Sequence, residues 1–218
     1  MWRGWTRRPT VAAMSPQRFL LSAALVLAAR LAAADIDASV NIEPLTKLRM
    51  DFAAAKDYSP DWAANPERRA VYEALRQNRP DDVIRLGRAW LAKNPGDAEV
   101  YMLLAICQRQ QGDLPGYYRS ISLFYGLLRS ITAGGDGLTP ATAFKVIAVP
   151  EEYFVIRDIG AKVLLQSLVD HYDKMDLQTE DGRKFTLYFD VSISLDATAR
   201  ELHAAAPPAA AAPAPAKP

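Results

Sequence analysis

The residues best suited to acid–base chemistry are two acids and one histidine in the C-terminal half of the chain. His171 and Asp173 flank Tyr172, and alternate side chains of a strand point to the same face. Together with Glu152 they could form the acid/base cluster of a small hydrolase. No G-x-S-x-G, H-E-x-x-H or glycine-rich phosphate motif accompanies them. We therefore predict that His171 is structural, with its ring hydrogen-bonded across a hairpin, and keep a hydrolase as the alternative function.

A second group of acids could bind a metal ion. Asp136 lies between Gly135 and Gly137, and Glu151 and Glu152 follow, so carboxylate oxygens could hold a hard cation. The sequence has no D-x-D-x-D-G calcium loop. Glycine permits a positive φ, and an aspartate side chain can bond backbone amides two residues on. We expect a structural turn here, and neither a metal nor another cofactor.

Cys107 and four tyrosines complete the candidates. Cys107 is the only cysteine, so no disulfide can form within the chain. Its helical spacing with Leu103 and Leu104 predicts a buried thiol. The tyrosines that could line a binding groove are Tyr101, Tyr117, Tyr118 and Tyr125. The alternative for these rings is core packing between helices and sheet.

The N-terminus has the pattern of a secretory signal peptide. Phe19 to Ala29 is an uncharged apolar run, Arg18 precedes it, and small residues follow it. The run is about half as long as the ~20 apolar residues that a membrane-spanning helix needs. We predict a signal peptide over residues 1–34, a mature chain without a membrane span, and a periplasmic or secreted location.

The signal peptide explains why the net charge of the whole chain is close to zero. The sequence has 26 lysines and arginines against 25 aspartates and glutamates, and five of the arginines but no acid fall in residues 1–34. The mature chain is therefore mildly acidic and has no basic block, which argues against nucleic acid as a partner. Residues 204–218 are almost all alanine and proline, a composition that predicts an extended, disordered tail.

Residues 35–203 are predicted to form a single domain, mainly helical over 35–131 and mainly β over 132–203. Apolar spacing and capping signals predict helices near residues 45–52, 67–78, 81–91, 98–111 and 114–130. Enrichment in β-branched and aromatic residues predicts strands over residues 142–149, 153–156, 163–169, 172–178 and 184–195. Asp181-Gly182 predicts a tight hairpin turn before the last strand.

Part of the helical stretch has the spacing of a helical-hairpin repeat. The matching residues are Tyr101, Leu104, Ala105, Gly112, Asp113 and Phe124. On these residues the stretch resembles a tetratricopeptide repeat, preceded by a degenerate repeat that starts near Glu67. Such hairpins need about three repeats or a cap to bury their faces. The expected fold class is therefore α+β, with tetratricopeptide-like helical hairpins packed on a small antiparallel β-meander that caps them.

Several short segments, taken together, match one known family. They are Leu48-Arg49-Met50-Asp51-Phe52, Gly135-Asp136-Gly137, Thr142-Ala143-Phe144-Lys145-Val146-Ile147, Glu151-Glu152-Tyr153, His171-Tyr172-Asp173 and Tyr188-Phe189-Asp190-Val191. On these segments, residues 42–195 resemble the bacterial family known as domain of unknown function 4919. The resemblance implies an exported protein and supplies no catalytic residues.

We expect a non-enzymatic interaction or assembly module of the bacterial cell envelope, because two-helix repeats present a concave face suited to a protein or peptide partner.

Overall fold

The computed structural model describes residues 42–205; the predicted signal peptide and nearly all of the alanine–proline tail lie outside these residues. The helices are α1 (Glu43–Ala53), α2 (Pro66–Arg76), α3 (Pro80–Lys93), α4 (Ala98–Gln110), α5 (Leu114–Thr132), α6 (Val149–Asp158) and α7 (Ser192–Ala205). The strands are β1 (Phe144–Lys145), β2 (Ala161–Val169), β3 (Tyr172–Thr179) and β4 (Lys184–Asp190). This arrangement of helices and one sheet confirms the predicted α+β class.

Side-chain caps fix where several helices begin. Asn65 accepts a hydrogen bond from the Glu67 amide at 2.9 Å at the start of α2, and Asp97 and Asp113 cap α4 and α5 in the same way. From α2 to α5, each helix packs on the next one in sequence. The predicted helices are found within a few residues of their expected positions because caps and apolar spacing are local signals.

The sheet has four strands in the order β1-β4-β3-β2. Strands β2, β3 and β4 form the predicted antiparallel meander, but β1 pairs with β4 in parallel, so the sheet is mixed. A parallel pair needs a long crossover connection, and here that connection contains α6 and the β2–β3 hairpin. Asp170, at φ 57°, and Gly182, at φ 87°, lie in the two tight turns of the meander.

Two helices occupy segments that were expected to be strands, so residues 132–203 contain about as much helix as strand. Residues 153–156 lie in α6, whose first turn contains Pro150, Glu151 and Glu152; proline and acids favour a helix N-terminus. The strand predicted to reach residue 195 ends at Asp190, whose side chain accepts a hydrogen bond from the first amide of α7 at 3.0 Å. Phe154, Val155 and Ile156 of α6 are buried in the core, and such packing overrides strand propensity.

The helices cover one face of the sheet. Met175 and Leu177 of β3 and Phe189 of β4 are buried on that face, in one apolar cluster with residues of α5 and α6. A second cluster lies among α1 to α4, and Tyr101 and Met102 of α4 pack against both clusters. Helices and sheet therefore share a continuous core. None of the helices within residues 42–205 combines the length and apolarity needed to cross a membrane.

Candidate functional site

An apolar groove lies on the helix-covered side of the sheet, at the end of the β2–β3 hairpin. It has a volume of about 280 Å³ and is formed by the first turns of α6 and α7, the α1–α2 loop, and residues of β2 and β3. Its apolar walls include Pro60, Val149, Pro150, Leu168, Val191 and Leu195. Asp61 and Asp173 are the charged residues that line it, and no basic side chain of the described residues does. The groove therefore combines apolar walls with negative charge.

Asp173, which lines this groove, lies beside a second carboxyl group. Asp173 is 8% exposed, and Glu152, in the first turn of α6, is fully buried beside it. Both Glu152 oxygens lack a donor among the described residues, and two carboxylates can only accept hydrogen bonds. The two groups can therefore bond to each other only if they share a proton.

Burial determines which member carries that proton. Desolvation, followed by the charge of Asp173 and the hydrogen bond to it, raises the pKa of Glu152 to about 9. The raised pKa favours the protonated form of Glu152 at neutral pH, and a protonated carboxyl beside Asp173 can donate a hydrogen bond to it. Asp173 also accepts a hydrogen bond from Gln166 Nε2 at 2.7 Å. Asp173 therefore accepts a hydrogen bond from Gln166 on one side and lies against Glu152 on the other.

A chain of hydrogen bonds connects the acid pair to the protein surface. The exposed Tyr153 donates its hydroxyl to Gln166 Oε1 at 2.8 Å, and Gln166 in turn donates to Asp173. Leu168 pairs directly with Asp173 in the β2–β3 ladder, so Leu168 and Gln166 lie on the same face as Asp173. The strand register thereby places the amide, an apolar wall and the carboxylate side by side.

The acid pair differs from the other buried acids in having no cation. The buried carboxyl residues of the described part are Asp97, Glu151, Glu152 and Asp173. Arg68 Nε lies 2.7 Å from Asp97 Oδ2, and Arg49 Nη2 lies 2.7 Å from Glu151 Oε2. Within residues 42–205, no basic side chain forms an ion pair with Glu152 or Asp173. Buried charges are rarely left without a counter-ion, so this pair is the unusual one.

His171 does not join the pair, so the three residues considered for an acid/base cluster do not come together. It lies in the β2–β3 turn, its side chain is exposed, and its ring stacks on Tyr172 with centroids 4.1 Å apart. The backbone carbonyl of His171 accepts a hydrogen bond from the Val191 amide at 3.0 Å. The predicted ring hydrogen bond across the hairpin is also absent from the described residues. The strand periodicity assumed for His171 fails because the turn begins one residue before it.

The structure separates the two residues proposed as metal ligands. Asp136 is exposed, and its Oδ1 accepts hydrogen bonds from Thr142 Oγ1 at 2.6 Å and the Leu138 amide at 3.0 Å, which lower its pKa. Glu151 is turned into the core by α6 and is neutralised there by Arg49. No group of three His, Cys, Asp or Glu side chains within residues 42–205 is arranged to hold a metal ion.

Gly137, in the turn that contains Asp136, has a positive φ and lies close to the Phe144 ring. Its φ is +71°, and a Cβ there would lie 2.6 Å from Phe144 Cε2. We expect Gly137→Ala to lower the free energy of unfolding by about 2–3 kcal/mol, because left-handed strain and overpacking add. Gly182→Ala is the matched control, since its φ is +87° with open space around it. Urea unfolding of both variants measures the difference; equal losses would show that the Phe144 contact does not matter.

The four candidate tyrosines do not form one site. Tyr101 is packed against both apolar clusters, and Tyr125 packs edge-on against Phe124 with centroids 4.8 Å apart. Tyr117 lines a shallow groove of about 540 Å³ on α4 and α5, and the exposed Tyr118 ring lies 5.1 Å from it. Core packing thus accounts for two of the four rings. Cys107 is buried, as predicted, and burial raises the pKa of its thiol.

Comparison with known proteins identifies the family. A model for a domain of unknown function, DUF4919, matches residues 26–200. The chain belongs to the DUF4919 family. This confirms the resemblance drawn from the sequence, and the match includes the acid pair, the groove and the whole sheet. No curated protein matches the chain, and no solved structure does.

Sequence reasoning about this DUF4919 protein missed two members of the site. Gln166 and Tyr153 connect the acid pair to the surface, yet neither has a motif that could reveal it. The exposed leucines of β2 offered a signal, because Leu164, Leu165 and Leu168 make the strand apolar on both faces. Such a pattern indicates either a fully buried strand or a strand that is covered by a partner.

Proposed function

We propose that this protein is an exported, non-enzymatic binding protein that holds an extended segment of a partner protein along the open edge of its sheet. Strand β2 is the observation that carries this proposal. It is nine residues long and forms one end of the sheet. Leu164, Leu165, Leu168 and Val169 are 46%, 60%, 55% and 49% exposed. An extended segment added there would form backbone hydrogen bonds and cover apolar side chains.

The edge of β2 has few of the features that prevent an exposed sheet edge from pairing with a strand of another molecule. Monomeric proteins place charges or prolines on an exposed edge, or cover it. Strand β2 contains Lys162 as its single charged residue and no proline. A register shift between Val163 and Leu165 interrupts the ladder once, and residues 165–169 continue beyond it. This segment, in which Leu165, Leu168 and Val169 are apolar, forms a docking strand that leads directly to the groove at Leu168.

The export part of the proposal is supported by the N-terminal sequence. The basic residues before Phe19, the short apolar run and the alanines before Asp35 are the three parts of a signal peptide. N-terminal sequencing of the protein from fractionated cells tests this part. We also propose that α2 to α5 pack as tetratricopeptide-like pairs, which is supported by the turn at Gly112, where φ is +76°, and by the sequential packing of these helices.

A small hydrolase is the second candidate function. The observation in its favour is the Glu152–Asp173 pair, because two carboxyls that share one proton can act as acid and base. Two observations weigh against it: both Glu152 oxygens are inaccessible, and His171 lies outside the pair. The binding function therefore has the stronger support.

Site-specific photocrosslinking tests the binding function in producing cells. With a photoreactive side chain in place of Leu165, we expect crosslinks to one extended, apolar segment of another protein. The same group in place of Leu114, which is 52% exposed on α5, is the control. Hydrogen exchange should then show slowed β2 amides in the purified complex. Crosslinks to a second copy of this chain, or equal yields at both positions, would contradict the proposal.

A further inference from the structure

We propose that the groove binds a lysine side chain of the partner segment, with the alkyl stem along the apolar walls and the ammonium group on Asp173. This inference rests on the proposed function and names the chemistry by which the same surface recognises its partner. The surface is the groove floor at Asp173 together with the walls at Leu168, Val149 and Leu195.

The missing counter-ion is the first argument. Asp97 and Glu151 are each buried against an arginine, whereas Asp173 has hydrogen-bond donors but no cation among the described residues. Asp61 adds a second negative charge at the groove, and no basic side chain lines it. The charge of the groove is therefore complementary to a cationic group supplied from outside.

The walls determine what kind of cation fits. Leu168, Val149 and Leu195 are 55%, 45% and 40% exposed, so they offer apolar surface to an alkyl chain. Lysine buries its methylene stem along such surface while its ammonium group meets a charge. A calcium ion would need six to eight oxygen ligands, which this groove, with two carboxylates against apolar walls, does not supply.

The hydrogen bonds of Asp173 favour lysine over arginine. A guanidinium binds best to two free oxygens of one carboxylate. Asp173 Oδ2 already accepts from Gln166 at 2.7 Å, and the Glu152 carboxyl group lies against the same carboxylate. An ammonium group is a point charge that needs only one accessible lone pair.

A second copy of this chain does not supply the cation from its own β2. Lys162 pairs with Gln178, and Gln166 pairs with Met175, with the register shift between them. Val163 pairs with the buried Leu177, so its neighbour Lys162 points to the opposite face. In a continuous sheet of two copies, that lysine would point away from the groove. A second copy that docked through its own β2 would therefore leave the groove without a cation, so we take the partner segment to come from a different protein.

The inference is tested by titrating the full mature protein with hexylammonium and, separately, with the neutral 1-hexanol. The affinity for each compound is measured by NMR. We expect hexylammonium to bind about tenfold or more tightly than hexanol, since a charged hydrogen bond is gained. Asp173→Asn should abolish the difference, whereas Asp181→Asn, on the exposed hairpin, should leave it unchanged. Equal binding of the two compounds, or a difference that survives Asp173→Asn, would overturn the inference.

Leu168→Lys provides a second variant that retains Asp173. The new lysine would lie directly opposite Asp173 in the ladder and supply the missing cation from within. We expect hexylammonium binding to be lost and the melting temperature to rise by about 2–4 °C. A variant that melts lower and still binds hexylammonium would contradict the assignment.

Three peptides distinguish a partner lysine from a free amine. Ac-Val-Leu-Lys-Leu-Val-NH2 should bind at least tenfold more tightly than the same peptide with norleucine or arginine at the centre. If hexylammonium binds but the lysine peptide does not, the groove takes a free amine and the inference of a partner lysine is wrong. Leu165→Lys, on the opposite face of β2, should weaken the peptide and leave hexylammonium unaffected. A failure of the edge-strand proposal therefore remains distinguishable from a failure of the groove.

Discussion

Replacing Glu151 by glutamine is expected to lower the free energy of unfolding by about 3–5 kcal/mol, because it leaves the Arg49 guanidinium buried without its counter-charge. Arg49 is 1% exposed, and its Nε and Nη2 bond to Glu151 at 2.9 and 2.7 Å. Its remaining donors bond to Ser130 and to the Lys145 carbonyl. One side chain of α1 thus holds the end of α5, strand β1 and helix α6 together.

This expectation is tested by a double-mutant cycle in which chemical denaturation gives the free energy of unfolding of each variant. Arg49→Met alone should be as costly as Glu151→Gln, and the variant that combines these two substitutions should cost less than the sum of the single variants, since no charge is left buried. Arg183→Gln, which removes an exposed pair with Asp181, is the control and should cost less than about 1 kcal/mol. Additive effects in the cycle would show that the buried pair is not coupled.

Replacing Glu152 by glutamine is expected to change how stability depends on pH. The pKa of Glu152 is raised from 4.5 to about 9 in the folded protein, so the folded state retains its proton where the unfolded state has lost it. The contribution of Glu152 to the free energy of unfolding of the wild type is therefore fully present below pH 4.5. It falls by up to about 1.4 kcal/mol per pH unit as the pH rises from 4.5 toward 9.

Glutamine at position 152 cannot ionise and still offers an N–H donor to Asp173. The variant should therefore match the wild type near pH 4.5 and exceed it by several kcal/mol at pH 8. Urea unfolding from pH 4.5 to 9 measures the difference, in which contributions from His171 and His203 cancel. Glu180→Gln, an exposed glutamate, is the control and should follow the wild type. Parallel curves for Glu152→Gln and the wild type would show that Glu152 is ionised in the folded state at neutral pH.

The same variant bears on the hydrolase alternative. If Glu152 supplied the catalytic proton, Glu152→Gln would abolish turnover while stabilising the fold at pH 8. If Glu152 only supports Asp173 in binding a cation, the variant should keep the preference for hexylammonium over hexanol. The two functions thus predict different losses from one substitution.

Much of the helical fold was determined by the sequence alone. The caps at Asn65, Asp97 and Asp113 and the apolar spacing of each helix act over a few residues, so they can be interpreted without the tertiary structure. The enrichment of residues 184–195 in β-branched and aromatic side chains likewise placed strand β4, although the predicted strand ran past its end at Asp190. Family membership was equally accessible, because the matching segments lie in the sequence itself.

Only the tertiary structure decided where strand propensity yields to helix and which acids meet. Residues 153–156 favour strands locally, but burial of α6 against the sheet outweighs that preference. Glu151 and Glu152 are neighbours in sequence, yet one pairs with Arg49, 102 residues away, and the other with Asp173. Helical geometry separates their directions by about 100°, and long-range packing determines what each one contacts. The charge state of Glu152 follows from that packing, since desolvation depends on everything folded around the group.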